Sequence, residues 1–289
     1  MGGSEIKISI IVVTFNSLPS LTYCLAHLKE AAKKINSELI IVDNDSTDNS
    51  PSTAKNLFPE ANILINRKNL GFAAACNQGA RQANGNYLLL VNPDVFVDSH
   101  CLEEIFAFAQ GKEKAGAIGG RLRFPDGTFQ PACRQLPTFG NLILSRGSIL
   151  GKIFRGAGRY TLPDSAEPME VPAVAGTLLL IRKEVFEKVG RFDHQFFMYM
   201  EDTDLCKRLI MLGFNNYFVP SAGAVHEWGK GSSAGRFKRN WYHHRSVFKY
   251  FRKHKRGLAN YTLLPLMLAT NFLITAILDI FKRSNNQAR

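Results

Sequence analysis

Short apolar segments alternate with helical segments through the first third of the chain. Apolar runs cover residues 8–13, 39–42 and 87–91, and the clearest helical patterns cover 21–34 and 73–83. This alternation is typical of α/β proteins, in which parallel strands form one sheet and the connecting helices cover its faces. The sequence therefore predicts an α/β fold built on a mostly parallel sheet.

Polar residues stand at the carboxyl end of each predicted strand. Thr14 and Asn16 follow the first strand. Asp43 closes the second, and Asn92 and Asp94 close the third. Ligands of open α/β sheets bind just beyond the carboxyl ends of the strands. One strand-ending Asp is often only a turn residue, but three strands with the same pattern favour a ligand site at that edge.

A second group of acidic side chains lies further along the chain. Glu201, Asp202 and Asp204 follow an aromatic, apolar run and precede a helical pattern in which Leu205 and Leu209 share one face. Acidic residues are common caps in the first turn of a helix, where the dipole favours them. The aromatic, apolar run before the helix favours a second interpretation. It would carry the acidic residues towards a partly buried site, where the pKa of a carboxylate can be adjusted for a role as general base.

Several further motifs occur in a fixed order. They are SIIVVTFNS (9–17), IVDNDSTD (41–48), NLGFA (69–73), NQG (77–79), LVNPD (90–94), GTLLLIR (176–182), VGRFD (189–193), the acidic helix start, and VHEWG (225–229). Any one of them is weak evidence, whereas the ordered set is specific. Over roughly residues 8–232 it resembles the family 2 inverting glycosyltransferases, and most closely their bacterial rhamnosyltransferase-like branch. The resemblance implies a GT-A fold, which is a Rossmann-like sheet flanked by helices, and a hexosyltransferase activity.

A nucleotide-sugar donor is the ligand that this resemblance implies at the sheet edge. Asp43 resembles the nucleobase-recognising Asp of the family, and its carboxylate can accept the N3–H of uracil or thymine. The implied donor is a dTDP- or UDP-sugar, with rhamnose favoured as the sugar. Arg67 has two interpretations, as a residue that lines the donor pocket and as a solvated charge on the surface. The implied nucleotide-sugar-binding residues are Thr14, Asn16, Asp43, Arg67, Gly71, Phe72, Asn77, Asn92, Asp94 and Gly176.

A divalent cation is implied by the same resemblance. The tripeptide Asn92-Pro93-Asp94 occupies the Asp-x-Asp position of the family, with an uncharged Asn in place of the first Asp. Metal binding then depends on Asp94, with diphosphate oxygens and water completing the shell of a hard cation. His226 matches a late His of the family that can supply a further ligand. We therefore expect Mn²⁺ or Mg²⁺, and a neutral imidazole suits Mn²⁺ better.

The acidic helix start supplies the implied catalytic residues. Asp202 matches the second position of the Glu-Asp motif of the family and is our candidate general base. Glu201 would orient it or contact the acceptor, and Asp204 would cap the helix or hold a basic neighbour. The implied reaction is one in-line displacement with inversion, onto a polyprenyl-diphosphate-linked or polysaccharide acceptor of the cell envelope.

The C-terminal part of the chain has a different composition. The net charge is +12, and residues 228–278 contain no Asp or Glu. A basic stripe (236–256) is followed at once by an apolar segment (258–281). We therefore divide the chain into a glycosyltransferase domain (1–232) and a helical extension (233–289). Nucleic acid and an anionic membrane surface are both possible partners of such a stripe, and the apolar segment favours the membrane.

The position of the apolar segment relative to a membrane has three interpretations. It can lie in or against the bilayer, cross it, or pack as a soluble helix, and its polar residues favour the first.

Five cysteines without paired spacing fit a reducing cytosol. We expect a cytoplasmic protein held peripherally at the inner face of the cell membrane. A nucleotidyltransferase is the alternative enzyme class. Such enzymes usually carry a Gly-rich loop with Lys or Arg directly after the first strand, whereas residues 14–19 of this chain contain neither Gly nor a basic residue.

Overall fold

A computed structural model describes residues 6–143, 161–230, 235–255, 257–258 and 261–287. By its internal contacts the chain forms two compact units. The first unit comprises Met1–His194 and Glu201–Ser233, and the second comprises Gln195–Met200 and Ala234–Arg289. The six residues that precede the acidic helix start therefore belong with the C-terminal helices.

The first unit alternates strands and helices along the chain. Its strands are β1 (Ile8–Thr14), β2 (Ser37–Asp43), β3 (Asn62–Ile65), β4 (Tyr87–Val91), β5 (Val95–Val97), β6 (Ala115–Arg123), β7 (Phe129–Gln130), β8 (Cys133–Arg134), β9 (Met169–Glu170), β10 (Ala173–Val174), β11 (Leu178–Arg182) and β12 (Asn215–His226). Its helices are α1 (Leu18–Ala32), α2 (Ser50–Leu57), α3 (Phe72–Gln82), α4 (Cys101–Gln110), α5 (Phe139–Ile143), α6 (Lys183–Lys188) and α7 (Glu201–Met211).

One large sheet forms the centre of the first unit. Its strand order is β3-β2-β1-β4-β11-β6-β12-β5, with β7 beside β6 and β9 beside β12. The pairs β1–β2, β1–β4, β2–β3 and β6–β12 are parallel, whereas β11 is antiparallel to both of its neighbours and β5 to β12. Consequently β3, β2, β1, β4, β6 and β12 all point the same way. The prediction of an α/β fold with a mostly parallel sheet is confirmed.

Both faces of the sheet are buried. Ile8, Ile10 and Val12 of β1 belong to a core cluster that includes buried residues of α1 and α4. Ile11 and Val13 point to the other face and belong to a cluster with residues of α3, α6 and α7. A strand covered on both faces is mostly apolar, which explains why β1 has a continuous apolar run from Ile10 to Val13 rather than an alternating pattern.

The register of the strands brings their polar ends to one edge. Thr14 is paired with Asp43 across β1 and β2. Val12 is paired with Val91, so that Asn92 follows at the same level. Because β11 is antiparallel to β4, its beginning lies at this edge, and β12 ends here at His226. We call this the carboxyl edge of the sheet.

The second unit consists of the segment 195–200 with the helices α8 (Arg236–His254) and α9 (Leu263–Gln287). The Ser246 hydroxyl donates to the backbone oxygen of Met198 at 2.8 Å. The rings of Phe197 and Tyr242 have centroids 4.6 Å apart. These contacts fold the segment onto α8.

The two helices of this unit meet through aromatic and polar side chains. The ring of Phe272 lies against Phe237 and Trp241, with centroids 5.1 and 5.7 Å apart. Asn240 donates to the Thr275 hydroxyl at 2.6 Å. In the part of the chain that the structure describes, no helix reaches both the length and the hydropathy of a membrane-crossing segment.

Candidate active site

Asp43 has one carboxylate oxygen without a protein partner. Its Oδ2 accepts the backbone N–H of Ser46 at 2.9 Å, whereas the buried Oδ1 has no hydrogen-bond partner among the described residues. The neighbouring Thr14 hydroxyl is paired with that of Ser17 at 2.6 Å. A buried carboxylate oxygen that lacks a donor is costly. This oxygen can therefore accept a hydrogen bond from a ligand group that enters the site.

Asn16 links the loops that follow β1 and β2. Its backbone is left-handed, with φ 50°, a conformation that Asn tolerates better than most residues. Its carboxamide oxygen accepts the N–H groups of Thr47 at 2.7 Å and Asp48 at 3.3 Å. The side chain of Asn16 thus holds the loops beside Asp43 together. Arg67 is exposed.

Asn44, which the sequence analysis did not single out, holds the loop before α3. Its carboxamide oxygen accepts from Asn66 at 2.9 Å and from the Leu70 N–H at 3.4 Å. Its amide group donates to the backbone oxygen of Gly71 at 3.3 Å. Gly71 itself has φ 84°, a left-handed conformation that suits glycine. The buried amide therefore fixes where α3 begins.

Phe72, Gly176 and Asp202 lie together. A Cβ atom on Gly176 would meet the Phe72 ring at 3.3 Å and the Asp202 Cβ at 3.5 Å, so this position has room only for a small residue.

Asn77 contacts another segment. Its carboxamide pairs with the backbone N–H and C=O of Phe192, at 3.1 and 2.8 Å, and so attaches α3 to that loop.

Asp94 and His226 face each other at the carboxyl edge. His226 Nε2 lies 3.4 Å from Asp94 Oδ1, and the Glu227 N–H donates to the backbone oxygen of Asp94 at 3.0 Å. Gln130 Oε1 lies 2.6 Å from His226 Nδ1. A carbonyl oxygen only accepts, so Nδ1 carries a proton, and in the neutral imidazole Nε2 points its lone pair towards Asp94. Asn92, at the start of this motif, is half-buried.

This pair has the chemistry of a cation site. When the imidazole is neutral, Nε2 and the carboxylate oxygen are both acceptors, and a cation between them relieves their repulsion. One carboxylate and one imidazole suit Mn²⁺. Throughout the described residues there is no group of three or more His, Cys, Asp or Glu that could hold a metal. Asp94 and His226 thus offer two candidate ligand atoms for a cation.

The Asp202 carboxylate is surrounded by donors. Its Oδ2 accepts the Gly176 N–H at 2.9 Å and forms an ion pair with Arg134. Its Oδ1 accepts the N–H of Thr203 at 2.6 Å and the Thr203 hydroxyl at 3.1 Å. Arg134 was not recognised in the sequence because it comes from a short strand 68 positions earlier in the chain.

Glu201 has the opposite environment. It is buried, and its Oε2 has no hydrogen-bond partner within the described part of the chain. Burial, and then the neighbouring Asp202 carboxylate, raise the pKa of Glu201 from 4.5 to about 8. Asp204, one turn further on in α7, pairs with Arg208 at 2.8 Å. Adjacent carboxyl groups with such different surroundings are typical of acid–base sites.

Comparison with known proteins identifies the class. The family model described as Glycosyl transferase family 2 matches residues 9–190. A relative from Mycobacterium tuberculosis (strain H37Rv), an N-acetylglucosaminyl-diphospho-decaprenol L-rhamnosyltransferase, is 31% identical over 268 residues, which cover 86% of this chain and 85% of that protein. Rhamnosyltransferase WbbL from Escherichia coli K12 is 27% identical over 183 residues, which cover 62% of this chain and 66% of that protein.

Solved structures agree on the fold. GalNAc-T7 with UDP, GalNAc and Mn²⁺ superposes with a TM-score of 0.61 at 16% identity, covering 87% of this chain and 48% of that one. The mannosyltransferase PcManGT from Pyrobaculum calidifontis with GDP-Man and Mn²⁺ superposes with a TM-score of 0.57 at 18% identity, covering 98% of this chain and 80% of that one.

The fold is thus GT-A-like. The chain belongs to glycosyl transferase family 2 and has rhamnosyltransferases among its relatives.

The raised pKa of Glu201 predicts a pH-dependent stability difference. The unfolded chain releases this proton near pH 4.5 and the folded chain near pH 8. Folding is therefore helped by Glu201 below pH 4.5, and this contribution falls as pH rises towards 8. Glu201→Gln removes the titration. We expect the melting temperature of the variant, relative to wild type, to be higher at pH 8 than at pH 5.

Thermal unfolding of both proteins at several pH values measures this difference. Glu227→Gln, on a half-buried side chain paired with Lys230 at 3.2 Å, is the matched control. A melting-temperature difference between Glu201→Gln and wild type that stays constant from pH 5 to pH 8 would contradict the assignment.

Proposed function

We propose that the chain transfers a hexose, with rhamnose as the first candidate, from a dTDP- or UDP-sugar to a lipid-linked acceptor with inversion. The observation that carries the proposal is that three groups lie at the carboxyl edge of one sheet. They are the Asp43 oxygen that has no partner among the described residues, the Asp94–His226 pair and the Asp202 carboxylate. The rhamnosyltransferase and decaprenol named in the M. tuberculosis relative support both sugar and acceptor.

In this proposal the donor binds by its base at Asp43. The free Oδ1 accepts the N3–H of uracil or thymine, whereas cytosine and adenine offer no donor at that position. The loop held by Asn44, with Gly71 and Phe72 at its end, would contact the donor on the same side. Hydrolysis of a panel of sugar nucleotides, measured in the presence of Mn²⁺, tests the base and the sugar together.

Asp94 and His226 are the residues that would hold the divalent cation. Bound there, the cation would neutralise the departing nucleoside diphosphate. The proton on His226 Nδ1 is fixed by Gln130, which keeps Nε2 available as a ligand. The diphosphate and water would supply the remaining oxygens that such a cation requires.

Asp202 is the proposed general base. The acceptor oxygen forms a bond to the anomeric carbon while the bond from that carbon to the diphosphate oxygen breaks. The proton of the acceptor hydroxyl passes to Asp202, and the bonding pair leaves with the nucleoside diphosphate. No covalent intermediate forms, and the configuration inverts. Glu201, protonated near neutral pH, orients the acceptor by donating a hydrogen bond.

The second unit is the proposed membrane-binding element. Large apolar side chains around the beginning of α9 are exposed: Leu258, Tyr261, Leu263 and Leu266. Arg252 lies over the Tyr261 ring at 5.4 Å, so exposed cations adjoin this apolar set. Basic residues next to apolar ones bind anionic bilayers. Of the predicted stripe, Arg256 lies outside the described residues. We place the enzyme at the inner face of the cytoplasmic membrane.

The first test of this function concerns the cation. Asp94→Ala should abolish Mn²⁺-dependent transfer and weaken donor binding, because the carboxylate is the only charged ligand in the Asn-Pro-Asp motif. Isothermal titration with the nucleoside diphosphate, with and without Mn²⁺, measures the loss. Asp98→Ala, which removes a carboxylate paired with Arg123, is the control. Full activity of wild type in excess EDTA would overturn the cation requirement.

The second test concerns the base. Asp202→Asn preserves size but removes basicity, so kcat should fall by about 10²–10⁴-fold while donor affinity stays near that of wild type. Single-turnover transfer and donor titration measure the two quantities separately. If Glu201→Gln is more damaging than Asp202→Asn, the roles of the two residues are exchanged.

The third test concerns the membrane. Substituting Leu258, Leu263 and Leu266 by Gln should release the protein from anionic vesicles, because each side chain is at least half exposed and contributes little to folding. Donor hydrolysis should be unchanged. The matched control replaces Ile210, Met211 and Leu212, which are also exposed but belong to the first unit. Equal sedimentation of both variants with vesicles would refute the proposal.

A further inference from the structure

Arg134 contacts the proposed base but has no part in the reaction described so far. Its guanidinium forms an ion pair with Asp202 Oδ2, and its Nε donates to the Thr203 hydroxyl at 3.1 Å. The two side chains of the pair are only 24% and 10% exposed. Removing one partner of a shielded pair leaves an uncompensated charge, which is far more costly than at the surface.

Arg134 and Gly176 reach Asp202 from one structural element. In the small β8–β10 sheet, Arg134 is paired with Ala173, and β10 leads directly to Gly176. The backbone N–H of Ala175 donates to Ala132 at 2.8 Å and extends the connection between the two strands. The guanidinium and the Gly176 N–H, both donors to Oδ2, are therefore held in register with each other.

Thr203 completes the arrangement. Its hydroxyl accepts from Arg134 and donates to Asp202 Oδ1. Both oxygens of the carboxylate are thereby engaged, and Arg134 is linked to each of them, directly or through Thr203. The plane of the carboxylate is fixed by donors on two sides. Glu201, one residue earlier, has an Oε2 without a partner among the described residues.

We infer that Arg134 is a positioning residue for the transfer reaction, one that orients the Asp202 carboxylate and reserves it, rather than Glu201, for proton capture. The inference rests on the proposed role of Asp202 as base. Without the guanidinium, two adjacent carboxyl groups would compete for one proton with no fixed charge to separate their roles. The carboxylate of Asp202 would also lose one of the four donors that set its orientation.

Variants of Arg134 test this role. Arg134→Ala should lower kcat by about 10²-fold while the donor Kd stays within about twofold of wild type. Arg134→Lys keeps a charge without the forked geometry and should recover part of the loss. Added guanidinium ion should raise the rate of Arg134→Ala but not that of Asp202→Asn. A purely structural role would not produce rescue by a soluble cation together with unchanged donor affinity.

Arg121→Ala is the matched control, because Arg121 forms a comparable pair with Asp164 at 2.7 Å; its kcat should equal that of wild type. If Arg134→Ala retains kcat within about threefold while Asp202→Asn is inactive, the inference fails and the proposed function stands. If Asp202→Asn is active, the proposed function itself fails. Should Arg134→Ala lose donor binding through misfolding, Arg134→Gln replaces it, and equal rates of the Gln and Lys variants would overturn the inference.

Discussion

The pairing of β1 with β2 is the constraint on which the site depends. Both strands are buried on two faces, so the parallel register that pairs Ile8 with Ser37 has to continue to the last pair, Thr14 with Asp43. A slip of one residue would move every side chain of a strand to the opposite face, where the close-packed neighbours fit side chains of other shapes. Burial of the core thus fixes to within one residue where the Asp43 carboxylate emerges.

Polar groups at the carboxyl edge are held at a cost in stability. A buried Asp43 oxygen without a donor among the described residues, the Asp94 carboxylate facing a neutral His226, and a buried Glu201 all oppose folding. Each becomes favourable when a donor, a cation or a proton arrives. Such unfavourable burial is what a fold tolerates at functional sites, where binding repays it. The core clusters on both sheet faces supply the stability that permits it.

Those parts of the fold that have local signals could be predicted from the sequence. The apolar runs of β1, β2 and β4 predict buried parallel strands. The polar residues at the ends of these strands predict a ligand site at the carboxyl edge of the sheet. The residues that orient the site have no such signal. Gln130 and Arg134 come from two-residue strands in a region that reads as hairpin and loop, and their partners, His226 and Asp202, lie far away in sequence. Neither periodicity nor turn chemistry indicates contacts of that range.

The acidic helix start shows why composition alone could not assign its roles. Glu201 and Asp202 are adjacent, both buried, and both in the first turn of α7, where the helix dipole acts on each. The difference between them comes from groups outside the helix. Asp202 receives donors from Gly176 and Arg134, whereas Glu201 Oε2 receives none from the described residues. Donors therefore surround one carboxyl group, whereas burial opposes charge on the other. The difference between the surroundings of these neighbouring carboxyl groups is set by the small β8–β10 sheet and the residue that follows it, which lie outside the motif that carries the two acids.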